Sequence, residues 1–298
     1  MDTPLEIPGI ARLLPGSGGL PCYEVITPRA QAHIYLHGAH VTHFAPAGQA
    51  PVLFMSARSH FQPSRPIRGG VPVIFPWFGP RAGHADSPAH GFARTRAWTP
   101  ESLVQQPSGE VVLTLRLEPD ADSRALWGEP SDWVLRHRIT IGTTLTMELE
   151  VENRGTQHLR CEEALHTYFS VSDVSAIQVH GLEGAEYYDK ADGMARKRQD
   201  RASIRFTQET DRTYIHTTAT CVIEDPGLRR RIVVEKACSQ STIVWNPWIA
   251  KARAMADYGD DEWPGMVCVE TGNVADNTLE IAPGARHITQ TVLRLEPI

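Results

Sequence analysis

Thr144-Leu145-Thr146-Met147-Glu148-Leu149-Glu150-Val151 alternates apolar and polar residues without a break, and Asn153-Arg154-Gly155 follows it as a turn. A period of two buries one face of an extended strand and wets the other. The same character recurs in Val111–Leu117 and Trp133–Ile141, and in stretches 203–206, 213–223, 231–234 and 287–295. Pro46-Ala47-Gly48, Glu224-Asp225-Pro226-Gly227 and Pro283-Gly284 punctuate these runs. Many short strands between turn residues predict an all-β sandwich or barrel. Helical character is confined to Ala121–Trp127 and 250–258, and strands do not alternate with helices. A doubly wound α/β fold is thereby excluded. No linker, charge block, low-complexity tract or repeat divides the chain, so residues 1–298 read as one β domain.

Composition narrows the function. The chain has 298 residues, 41% of them hydrophobic, and a net charge of −6. That length supports a large core without disulfides or metal staples. The acidic balance argues against a general nucleic-acid binder, which needs a basic face, but is compatible with one basic pocket. Cys22, Cys161, Cys221, Cys238 and Cys268 form no CxxC pair and read as reduced thiols. The opening residues lack the basic and apolar regions of a signal peptide, and the most apolar stretch, 71–78, is short and holds Pro72 and Pro76. The expectation is a cytoplasmic protein with no membrane segment.

Four segments offer chemistry. In Ile67-Arg68-Gly69-Gly70-Val71-Pro72-Val73-Ile74-Phe75-Pro76-Trp77-Phe78-Gly79, an arginine precedes two glycines that let backbone approach a ligand closely; the bland alternative is a tight turn. Pro88-Ala89-His90-Gly91-Phe92-Ala93-Arg94 places a histidine and an arginine beside a glycine, or forms a plain polar loop. In Glu162-Glu163-Ala164-Leu165-His166-Thr167-Tyr168-Phe169, His166 is either a satisfied core residue or a general acid/base. In Met266-Val267-Cys268-Val269-Glu270-Thr271, Glu270 is either a strand-end carboxylate facing water or a buried functional one. The acidic run at 257–262 reads as a solvated loop. His33, His37, His40 and His43 lie close in sequence but fall on different faces, and no HExxH is present, which argues against zinc. Trp245-Asn246-Pro247-Trp248 suits either a sugar-stacking floor or a core pair.

Taken in order, these segments resemble the glucose-6-phosphate 1-epimerase (hexose-6-phosphate mutarotase) family within the aldose 1-epimerase superfamily. GLEGAEYYDK, the ETDRTY segment and DYGDDEWPGMVCVETGNV complete the match, which runs from about Gly38 to about Pro283. The resemblance implies a large antiparallel β-sandwich of the galactose-mutarotase type with a few short helices, no cofactor and no metal. It implies His166 and Glu270 as the catalytic pair, Arg68 and Arg94 as a phosphate clamp, and His90 and Asp211 as further substrate contacts. Ala89 departs from members that carry Gln there.

The implied reaction interconverts the α and β anomers of an aldohexose 6-phosphate by acid/base ring opening. Glu270 is the expected base on the anomeric hydroxyl, and protonated His166 the donor to the ring oxygen. Glu162 or Glu163 is expected to keep His166 protonated. Both guanidiniums are expected to stand unpaired when an unphosphorylated sugar binds, which would discriminate against it. The partner is then a small sugar phosphate, with no nucleic acid or membrane, and the protein a monomer. The alternatives are a mutarotase for unphosphorylated aldoses and a non-catalytic carbohydrate-binding protein.

Overall fold

Along Leu145–Asn153 the alternation resolves into a strand with Leu145, Met147, Leu149 and Val151 buried and the residues between them partly exposed. It pairs antiparallel with Trp133–Ile141 on one side and Arg286–Pro297 on the other. Extending outward, this pairing gives a nine-stranded sheet with edges at Thr99–Gln105 and Ser203–Ile204. The structure is a computed structural model that describes residues 5–128 and 132–298. Residues 1–4, where the targeting-signal reading begins, and 129–131 lie outside it.

A second, eight-stranded sheet runs in the order Ala195–Arg198, Glu186–Asp189, Thr210–Ile215, Ser241–Asn246, Met266–Asn273, Glu163–Leu165, Val73–Ile74, with Tyr168–Ser170 also paired to Met266–Asn273. The two sheets pack face to face. Val267 and Val269 of one share a buried cluster with Leu149 and Leu293 of the other, and Thr271 Oγ1 donates to Thr291 Oγ1 at 3.2 Å between them. A four-stranded antiparallel meander spanning Ala11–Pro15 to His40–Pro46 joins the same cluster through Ile34 and Phe44. The all-β sandwich expectation therefore holds. The described residues contain two short α-helices, Ala121–Trp127 and Trp248–Ala254. Among the described residues, no helix is long and apolar enough to cross a membrane.

Three local expectations are corrected. Stretch 213–223 is two strands: Thr210–Ile215 lies in the eight-stranded sheet and Cys221–Asp225 in the nine-stranded one. The chain changes sheets between them, and a period of two continues on either side of such a crossing, so alternation does not reveal it. The helix expected at 250–258 begins earlier, where Asn246 Oδ1 accepts from Trp248 N at 2.9 Å, and ends at Ala254. Gly69 and Gly70 serve a close approach to the protein's own backbone. A Cβ would lie 2.5 Å from Phe54 O at Gly69 and 2.3 Å from Val41 O at Gly70. The clustered histidines do diverge: His37 and His40 each meet a backbone carbonyl at 2.7 Å, while His33 lies against the ring of His43.

One carboxylate sits between the sheets. Glu163 is fully buried and accepts from Asn273 Nδ2 at 2.8 Å and Thr289 Oγ1 at 2.7 Å. Burial pushes its pKa up to about 7, despite those bonds and the nearby Lys236 ammonium, itself lowered to about 8 by burial. The fold thus binds this proton more tightly than the unfolded chain does. Stability is full below the unfolded pKa and falls as pH rises toward 7. Glu163→Gln keeps the accepting oxygen and removes the titration. Thermal melts should show the variant gaining on wild type between pH 5 and pH 8, by at most about 3 kcal/mol. A constant difference across that range would contradict this reading.

Candidate active site

The eight-stranded sheet is covered on both faces, which is why Met266-Val267-Cys268-Val269-Glu270 reads as a nearly continuous apolar run. Val267, Val269 and Thr271 point toward the other sheet, while Cys268 and Glu270 occupy the opposite face. Leu165 pairs with Thr271 and Tyr168 with Cys268. The register is the same on both sides of a short gap in pairing, so His166 falls opposite Glu270. His166 N donates to Pro72 O at 3.0 Å and Tyr168 N to Gly70 O at 2.9 Å, which holds the segment from its other edge. The next strands bring Ile243 opposite Glu270, Trp245 opposite Cys268 and Asp211 opposite Trp245. Residues far apart in sequence thereby line one cleft of about 510 Å³, among them Arg68, His90, His166, Asp211, Trp245 and Glu270.

At the centre, His166 Nδ1 lies 3.4 Å from Glu270 Oε1. His166 is 7% exposed and Glu270 1%. Burial, with the Arg94, Arg68 and Lys190 charges, holds the imidazole well below its ordinary pKa. Burial raises the Glu270 carboxyl well above the ordinary range, with Asp211 adding to the rise and Lys190 and Arg94 opposing it. Both shifts favour the neutral forms, with the proton of the pair on Glu270 in preference to His166. The expectation that Glu162 or Glu163 keeps His166 protonated is overturned. Glu162 accepts from Phe78 N at 2.8 Å and Ala275 N at 2.7 Å, and Glu163 faces the inter-sheet core. The carboxylate facing His166 is Glu270.

The surrounding cations differ in their commitments. Arg68 Nε and Nη2 donate to Asp257 Oδ2 at 3.2 and 3.1 Å, and Nη1 donates to Tyr168 Oη at 3.0 Å. Asp257 therefore does not belong to a solvated loop, and Arg68 does not stand unpaired. Arg94 is partly exposed; its Nη2 donates to Ala89 O at 2.7 Å and its buried Nε has no partner among the described residues. Burial and Arg68 lower its pKa to about 10. Asp211 receives Lys251 at 3.4 Å and Lys190 at 3.7 Å. His90 meets His166 edge-on at 5.6 Å and accepts from Gly79 N through Nδ1 at 3.3 Å.

Sequence reasoning missed three participants. Tyr168 stacks on His166 at 4.8 Å between ring centroids. It lies two residues beyond His166, on the same side of an extended segment, so the period of two carried its signal. Lys190, over the Phe78 ring at 4.3 Å, and Asp257 lie within the GLEGAEYYDK and DYGDDEWPGMVCVETGNV segments, but nothing in those segments marked either as a partner in the cleft. Of the tryptophan pair, Trp245 meets His166 edge-on at 6.1 Å, whereas Trp248 packs on Trp263 at 4.2 Å.

A β-sandwich presenting an isolated imidazole–carboxyl pair in a polar cleft has the layout of a sugar mutarotase, an isomerase working by proton transfer. The chain belongs to the aldose 1-epimerase family, whose model matches residues 21–294. Two curated relatives are named "Putative glucose-6-phosphate 1-epimerase". That from Cenchrus ciliaris is 34% identical over 85% of this chain and 78% of its own length. That from Escherichia coli is 34% identical over 89% and 87%. A solved structure from Salmonella typhimurium, described as "a putative mutarotase (YeaD)", superposes with a TM-score of 0.91 at 30% identity, covering 99% of this chain and 96% of that one.

Glu270→Gln and His166→Gln should each lower kcat by about 10²–10⁴-fold, and the double variant should be little worse, because the two act as a unit. NMR titration of the His166 ring should show it neutral through pH 6.5, since its lowered pKa puts protonation at lower pH. A titration centred near pH 6.5 would contradict the electrostatics described above.

Proposed function

We propose that the protein interconverts the α and β anomers of an aldohexose 6-phosphate, glucose 6-phosphate foremost, without a cofactor. The carrying observation is the buried His166–Glu270 pair at 3.4 Å on the floor of a cleft of about 510 Å³. On sugar binding a proton passes from Glu270 to His166, a shift that leaves the charge of the pair unchanged. Glu270 then takes the proton of the anomeric hydroxyl while His166 gives one to the ring oxygen as the C1–O5 bond breaks. The open aldehyde turns about C1–C2, and the transfers run in reverse on its other face. Asp211, its charge held by Lys190 and Lys251, is suited to accept from sugar hydroxyls. Trp245 and His90 bound the space beside the pair.

The phosphate reading draws on the names of the relatives and on Arg94, whose guanidinium has no carboxylate bonded to it among the described residues. A cation of this kind favours an anionic substrate over a neutral one. The Arg68–Asp257 bond is the observation that favours the second reading, a mutarotase for unphosphorylated aldoses. The protein would work in the cytoplasm as a monomer, with no nucleic acid or membrane as partner.

Anomer exchange measured by NMR separates the readings. Glucose 6-phosphate exchange should be accelerated and free glucose and galactose exchange should not, with the effect lost in Glu270→Gln. Acceleration confined to the free sugars would favour the second reading, and none at all would leave a binding protein. Arg94→Ala should raise KM for the phosphorylated sugar about 10–100-fold, the scale of a lost charge-assisted hydrogen bond, with a smaller change in kcat. An unchanged KM would remove Arg94 from the clamp.

A further inference from the structure

Cys268 has no part in the reaction derived above, yet it shares the catalytic face. One ligand atom each from His166, Cys268 and Glu270 lie within 4.8 Å of one another, and all three residues are buried. Among the described residues, His166 Nδ1 and Glu270 Oε2 have no hydrogen-bond partner. Zinc takes nitrogen at about 2.0–2.1 Å, carboxylate oxygen at about 2.0–2.2 Å and thiolate sulfur at about 2.3 Å. At a tetrahedral angle those lengths put a nitrogen and an oxygen ligand about 3.4 Å apart. The separation of His166 Nδ1 and Glu270 Oε1 is 3.4 Å. Two ligands thus already stand at tetrahedral spacing, and the third needs a side-chain adjustment on the order of 1 Å to close on the same point.

We propose that His166, Cys268 and Glu270 form an inhibitory site for a borderline-soft divalent cation of the zinc class, which would bind there in competition with the sugar. The donor set of imidazole, thiolate and carboxylate selects this class over magnesium or calcium, which prefer oxygen alone. Three protein ligands leave a fourth position for water or a sugar oxygen. As the metal–sulfur bond forms, the thiol proton passes to solvent, and a proton on Glu270 leaves likewise. The bound ion occupies the two groups that exchange protons with the sugar, so neither remains free as acid or base. Arg68 and Lys190 are balanced by Asp257 and Asp211, so Arg94 is the neighbouring cation that opposes a metal ion there. The cation is an inhibitor of the reaction and takes no step in it.

Cys238 is the exposed thiol among the five, so the test uses the Cys238→Ser protein throughout to keep a surface thiolate out of the signal. Titration with Co²⁺ alone should load one ion per chain and produce a thiolate-to-cobalt absorption band in the near ultraviolet. The band should vanish in Cys268→Ala and in His166→Gln. Zn²⁺ should inhibit anomer exchange competitively with the sugar. Cys268→Ala should keep the basal rate while weakening inhibition at least about tenfold, the lower range for disturbing a metal site. Absence of the cobalt–thiolate band in the parent overturns the proposal, as does a band or a Zn²⁺ inhibition constant unaltered in Cys268→Ala. The spectroscopic arm needs no substrate, so its failure is distinct from failure of the glucose 6-phosphate reading.

Discussion

An imidazole and a carboxyl group face each other at 3.4 Å across a buried strand pair, and the site is organised around making that contact tolerable. An ionised carboxylate in such a place carries a large desolvation cost unless it is paired or neutralised. Here the cost is limited by moving both pKa values toward the neutral forms, His166 downward and Glu270 upward. The arrangement stays net neutral whichever member holds the proton. That property suits a reaction in which one proton is taken from a hydroxyl as another is delivered to a ring oxygen.

The surroundings follow from the same constraint. Cations near the pair would attract an anionic substrate, but in excess they would ionise Glu270 before any sugar arrived. Most are therefore held by carboxylates: Arg68 by Asp257, Lys190 by Asp211, and Lys251 by Glu209 and Asp211. Arg94 is the exception, bonded to the Ala89 carbonyl. The covering of the sheet completes the design. Helix Trp248–Ala254 and the loop after it lie over the outer face, so Cys268 and Glu270 are buried in a strand whose other face is core.

Much of this was legible in the linear chain. The period of two along Leu145–Asn153 and Trp133–Ile141, with turn residues between runs, led to the sandwich because one-sided burial is a local property of a strand. The ordered segments around Arg68, His90, His166 and Glu270 led to the site. The structure brings Arg68, His90, His166, Asp211 and Glu270 to one cleft, with the Arg94 charge acting on the pair from outside its lining. What the segments could not convey was partnership. Glu162 and Glu163 are adjacent to each other and close to His166 in sequence, yet one binds loop amides and the other faces the inter-sheet core.

By itself the sequence determined the all-β class and the kinds of side chain available for proton transfer, because strand periodicity and functional-group chemistry are carried by the residues themselves. Tertiary structure alone decided that Glu270 is the carboxyl facing His166, that Asp257 occupies Arg68, and that stretch 213–223 is divided between two sheets. Those outcomes depend on strand register and on which remote loop reaches the cleft. Both are set by the packing of one sheet on the other and by the energy of burying charge, and neither leaves a period or a spacing in the chain.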